Sequence, residues 1–167
     1  MKQLTLIRHA QATQGYPDIN RALTVDGICQ AQWLGAKLKS KAFCFDALFS
    51  SGAQRTIETA EHICEELGLP VDIIKTEATL YNVDMETLYR YIGQIDAQID
   101  HAVIIGHNPA IHWLVQDLTR AHLDGVPPGT LLHIALDVEF WFEVGAGSGD
   151  LLERCSPPKL CSLNNSR

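Results

Sequence analysis

The chain has 167 residues, 46% of them apolar, and a net charge of −7, enough to build one substantial core in a single domain over residues 1–167. No Lys or Arg run exceeds the spaced Lys37, Lys39 and Lys41, so a nucleic-acid footprint is excluded, and no apolar run approaches the roughly 18 residues that cross a bilayer. The cysteines (Cys29, Cys44, Cys64, Cys155, Cys161) are odd in number and lack a Cys-x-x-Cys pair, so they read as reduced thiols of a cytoplasmic protein, and the segment before the first strand is too short for a secretion signal.

In chain order, Leu4–Ile7 reads as a buried strand that delivers Arg8 and His9 at its carboxyl end. A loop follows over residues 11–23. Thr24 is then placed to cap a helix from Val25 to about Lys39, with Ile28, Ala31, Leu34 and Leu38 on one face. Ala47–Ser50 is a second strand, followed by a helix from about Ala53 to Leu67 that Gly68 closes. Val71–Lys75 reads as a third strand and Met85–Ile95 as a helix. Ala102–Gly106 is a fully apolar strand leading into His107, and Pro109 opens a helix to about Arg120. Leu131–Leu136 is a further strand, with one or two more expected after Phe140. This alternation predicts an α/β three-layer sandwich around a mostly parallel central sheet.

In such folds ligands bind beyond the carboxyl ends of the strands. Two strands here end in histidine, His9 and His107, and the turn after another carries Arg55. An arginine following directly on an apolar strand, as Arg8 does, is costly without an anionic partner. Two guanidinium groups beside two imidazoles therefore describe a dianion site, most simply for phosphate. A neutral imidazole there can attack phosphorus and form a phosphohistidine, and nearby arginines keep it neutral. Such chemistry calls for no cofactor and no metal. The remaining histidines, His62, His101, His112, His122 and His133, lack zinc-ligand spacing and read as surface or packing residues. Trp33, Trp113 and Trp141 read as core anchors, and Glu58, Glu61, Glu65 and Glu66 as a solvated helix face. Pro127-Pro128-Gly129 is a turn or a rim of the pocket.

Four segments resemble a known family. Leu6-Ile7-Arg8-His9-Ala10 is similar to the Arg-His-Gly/Ala signature of the histidine phosphatase (phosphoglycerate mutase-like) superfamily. Arg21-Ala22-Leu23-Thr24-x-x-Gly27, Ser50-Ser51-x-x-x-Arg55-x-x-x-Thr59-Ala60 and Gly106-His107-Asn108-Pro109 match its later segments in order and spacing. The short chain, the Gly-His-Asn-Pro form, Leu80-Tyr81 and Pro157-Pro158-Lys159-Leu160 are most similar to the small bacterial branch typified by phosphohistidine phosphatase SixA. The resemblance implies the phosphoglycerate mutase-like fold, His9 as nucleophile, Arg8, Arg55 and Arg21 as phosphate ligands, and His107 as a transition-state donor.

One departure from the pattern bears on substrate. Where larger relatives carry a glutamate acid, this chain has Asn82, with Asp84 and Glu86 nearby. Asn cannot protonate a departing alkoxide, whereas the nitrogen of a phosphoramidate can leave already protonated. A protein-borne phosphohistidine is therefore expected as substrate. The alternatives are a small phosphorylated metabolite cleaved with Asp84 or Glu86 as acid, or a non-catalytic phosphate- or partner-binding module. The expected assembly is a monomer or weak homodimer.

Overall fold

The computed structural model describes residues 1–161. Six strands form one sheet in the order β3-β2-β4-β1-β5-β6: β1 (Lys2–Arg8), β2 (Ala47–Ser51), β3 (Ile74–Glu77), β4 (His101–Gly106), β5 (Leu131–Leu136) and β6 (Gly149–Cys155). The β3-β2-β4-β1 half is parallel throughout, while β5 runs antiparallel to both β1 and β6. Helices α1 (Val25–Ser40), α2 (Gln54–Leu67), α3 (Met85–Gly93) and α4 (Ala110–Thr119) cover it.

The strands alternate faces, and each face builds its own core. Leu4, Leu6, Ala102 and Ile104 join Leu88 and Ile92 of α3 and Leu114 and Leu118 of α4. Ile7, Val103 and Ile105 join Leu34 and Leu38 of α1 and Ile63 of α2 on the other side. Both faces of the central strands are thus covered, as their uninterrupted apolar sequences require. The three-layer expectation holds.

Local signals account for three of the helix ends. The Thr24 hydroxyl accepts from the Gly27 amide, Gly68 closes α2 at φ 71°, and Asp84 caps α3 by accepting from Thr87 N–H. Gly27 serves a packing purpose too: a Cβ there would lie 2.0 Å from the Gln11 carbonyl oxygen, so glycine lets α1 press against the segment leaving β1.

Four expectations need correction. The third strand is shifted, because Pro70 leads Val71–Ile73 into a 3-10 turn and the strand begins only at Ile74. Cys29 and Cys161 form a disulfide rather than remaining reduced thiols, tying α1 to the chain's tail; Cys44, Cys64 and Cys155 stay free. Of the tryptophans only Trp141 is a buried anchor, its indole N–H donating to the Ile99 carbonyl. Trp113 is 53% exposed, while Trp33 is half-buried and packs against the core beneath α1 and α2. Glu58 is not merely solvated, since its carboxylate accepts from Leu23 N–H. The region after Phe140 forms a 3-10 turn at Trp141–Glu143 and one strand, β6.

Candidate active site

The carboxyl ends of β1 and β4 open into a cavity of about 510 Å³ lined by Arg8, His9, Asp18, Arg21, Arg55, Tyr81, Asn82, Val83, His107, Asn108 and Pro109. All five residues singled out from the sequence are there. His9 lies one residue past β1 and is 9% exposed. Its Nδ1 sits 2.7 Å from the Ala10 carbonyl oxygen. A carbonyl only accepts, so Nδ1 carries the proton and Nε2 keeps its lone pair.

The chain around His9 is pinned from several sides. Ala10 N–H donates to Thr59 Oγ1, and Gln11 N–H to the buried Gln30 Oε1. Gly129 N–H is shared between the Arg8 and His9 carbonyls. Gly129 sits at φ +78°, a conformation glycine adopts without strain. The Pro127-Pro128-Gly129 turn thus supports the site from below. The cavity lining does not include it.

Arg8 is half-buried and donates through Nη1 to the Val126 carbonyl. Arg55, in the first turn of α2, donates through Nη1 to the Asp18 carbonyl and through Nη2 to the Asp18 carboxylate. The Nε of each is buried with no hydrogen-bond partner among the described residues. Such a donor is costly to bury, and both arginines line the cavity. His107 presents Nδ1 at 3.4 Å from Arg55 Nη2, while its Nε2 is 2.6 Å from Ser51 Oγ. The His9 and His107 rings lie 5.3 Å apart between centroids.

Electrostatics follows from this packing. Burial pushes the His9 pKa down to about 3, and His107, Arg55 and Arg8 push the same way against the Ala10 hydrogen bond. Burial and Arg55 bring His107 down to about 4. Both imidazoles are neutral at neutral pH, while the arginines remain charged. The result is a cavity lined by three arginines and holding a neutral imidazole whose Nε2 lone pair is free.

Three residues of the site had no role assigned from the sequence, although Ser51 and Tyr81 stand in its matched segments. Asp18 binds Arg21, Arg55 and Tyr81 at once, with Tyr81 Oη donating at 2.6 Å; those three contacts hold its carboxyl well below the usual carboxylate range. Ser51 holds His107 and Thr56. Asp18 and Tyr81 are separated by 63 residues and carry no local pattern. Asn82 lines the cavity at φ 54°. Asp84 and Glu86 do not line it: Asp84 is spent on its cap and Glu86 pairs with Arg90.

The histidine phosphatase superfamily (branch 1) profile matches residues 4–89. The chain belongs to this superfamily. A 2,3-bisphosphoglycerate-dependent phosphoglycerate mutase of Nautilia profundicola is 40% identical over 76 residues, covering 41% of this chain and 32% of that protein. The chain therefore aligns with only about a third of that relative's length. Among solved structures, the protein histidine phosphatase SixA complexed with tungstate superposes with a TM-score of 0.78 at 21% identity, over 96% of this chain and 99% of that one. A Nakamurella multipartitia protein, proposed to be phosphohistidine phosphatase SixA, reaches a TM-score of 0.81 at 22% identity, over 93% and 96%. At these identities the superpositions establish a shared fold, including the phosphoglycerate mutase-like sheet. Among the described residues, no helix is long and apolar enough to cross a membrane.

Proposed function

We propose that this superfamily member is a phosphatase that acts through a phosphohistidine on His9, with a protein-borne phosphohistidine as substrate. The observation that carries the proposal is the fixed tautomer of His9: Nδ1–H is committed to Ala10, which leaves the Nε2 lone pair for phosphorus between two arginines. Arg8 and Arg55, aided by Arg21, neutralise the equatorial oxygens of the phosphoryl group in flight, and His107, whose Nδ1 accepts from Arg55 Nη2, completes the pocket beside them. The P–O or P–N bond breaks as the Nε2–P bond forms, and water then releases phosphate and regenerates His9. The side chains supply the positive charge this displacement needs.

Two observations favour phosphohistidine over a simple phosphomonoester. Asn82 lines the cavity where an acid would stand, and Asp84 and Glu86, the substitutes expected from sequence, lie outside it. A non-catalytic binding module is disfavoured by the complete set of His9, Arg8, Arg55 and His107 in one cavity.

The test is trapping. Brief incubation with a phosphorus-labelled phosphoramidate and a denaturing quench should leave an acid-labile, base-stable label on the protein, absent from His9→Ala. Retention of label and turnover by a folded His9→Ala would overturn the mechanism. Faster cleavage of phosphomonoesters than of a phosphohistidine peptide would overturn the substrate.

A further inference from the structure

A phosphatase cavity gains nothing obvious from an anion at its mouth, yet Asp18 is there. Its carboxylate is 48% exposed, against 7% for the Arg55 side chain it touches. His9 lies at the floor, 9% exposed. Attack on phosphorus is in line, so a phosphoryl group held between Arg8, Arg55 and His107 turns its leaving group away from His9, toward the open side. That side holds Asp18, Tyr81 and Asn82. The Tyr81 hydroxyl donates to Asp18 Oδ2 at 2.6 Å, the oxygen that Arg55 Nη2 also reaches, while Arg21 Nη1 takes Oδ1, so the carboxylate is oriented there.

We propose that Asp18 is the specificity-determining residue of this cavity, its carboxylate selecting a phosphoryl group carried on a protonated nitrogen heterocycle over one carried on an alkoxide. The proposal rests on the phosphatase reading above. The physical reason is the sign of the charge. A phosphoimidazole protonated on its second ring nitrogen is cationic on the leaving side, and a nearby carboxylate favours that protonated form. When His9 Nε2 bonds to phosphorus, the P–N electron pair returns to the leaving nitrogen. The proton on the other nitrogen stays, and a neutral imidazole departs. An ester oxygen leaving the same place gathers negative charge against Asp18, with no acid at Asn82 to quench it. The same field therefore helps one substrate class and hinders the other.

The alternative role for Asp18 is to hold Arg55 in place, and the two roles have different readouts. Asp18→Asn keeps an oxygen acceptor for Tyr81 and the arginines but removes the charge. For a close pair of charges near a protein surface, Coulomb energies correspond to rate changes on the order of 10–100-fold. The ratio of kcat/KM for N-phosphoimidazole to that for phenyl phosphate should fall by at least about 10-fold in this variant. Phenyl phosphate should gain relative to p-nitrophenyl phosphate, and vanadate should inhibit as tightly as in the parent or more so. A parallel loss on all three substrates with weakened vanadate inhibition, or a ratio unchanged within about twofold, would overturn the role of Asp18 alone. Failure of the parent protein to cleave N-phosphoimidazole while cleaving aryl phosphates would instead overturn the phosphohistidine reading beneath it.

Discussion

The fold brings together two partly buried histidine pairs, and only one of them lines the candidate site. His9 and His107 lie 5.3 Å apart beyond the strand ends; His101 and His133 lie 5.0 Å apart on β4 and β5. Burial lowers the pKa of both pairs, taking His101 to about 4. The second pair is closed on itself. Thr5 Oγ1 lies 2.9 Å from His101 Nε2 and 2.8 Å from His133 Nδ1, and Phe43 packs edge-on against both rings. The first pair faces Arg8 and Arg55, whose Nε groups lack partners, across an open cavity. A depressed histidine pKa therefore marks burial in both places. Function is read from charged and titratable side chains that line one accessible cavity.

Four experiments would break or sharpen this contrast. The largest effect is expected at Arg55→Gln, which removes the charge beside His107 but keeps a polar side chain. Turnover should fall about 10²–10³-fold in steady-state assays, whereas His133→Gln at the sealed pair should leave kcat/KM within about threefold. Equal losses would erase the distinction. Thr5→Val deletes the hydroxyl that joins His101 to His133 and leaves buried ring nitrogens without a partner. A stability loss of about 1–3 kcal/mol in chemical denaturation is expected, with kcat unchanged; a matching loss of kcat would tie the sealed pair to catalysis.

Ser51→Ala tests positioning inside the site. Without the Ser51 contact at Nε2, His107 loses the hydrogen bond that fixes its ring beside Arg55. We expect kcat to fall about tenfold with KM nearly constant, about 1.4 kcal/mol of transition-state stabilisation. Recovery in Ser51→Thr would confirm that the hydroxyl is responsible, and a rise in KM alone would refute it. The smallest effects are in pH dependence. The folded pKa values of His9, His107, His101 and His133 are depressed, so the unfolded chain binds more protons. Stability from these groups is fully present above the unfolded value near 6.5 and is lost as pH falls through about 4. Denaturation midpoints should decline over that window. After correction for substrate ionisation, kcat/KM should stay flat from pH 8 to about 5, because both catalytic imidazoles are already neutral.

Much of this architecture was legible because the sequence signals were local. Apolar runs ending in Arg8-His9 and Gly106-His107 name both the strands and the end that carries the site. Thr24 and Gly68 announce helix ends through their own hydrogen bonding and backbone freedom. Errors arose where neighbours decide. Apolar Val71–Ile73 has strand composition, but the turn after Pro70 takes it. Trp113 sits in an amphipathic pattern, yet its face of α4 is uncovered. Cys29 and Cys161 are 132 residues apart, so their pairing depends on where the tail docks.

The sequence by itself determined the strand–helix alternation and singled out His9, His107, Arg8, Arg55 and Arg21 as candidate site residues, which the fold brings into one cavity. Each lies at or near the end of an element whose pattern spans only a few residues. Only the tertiary structure decided which histidine pair faces open space, that Ser51 orients His107, and that Asp18 and Tyr81 share the mouth of the cavity with Asn82. Those relations join loops and strands distant in sequence. Their energies come from burial and from charges a few ångströms apart, quantities that exist only once the chain has closed around them.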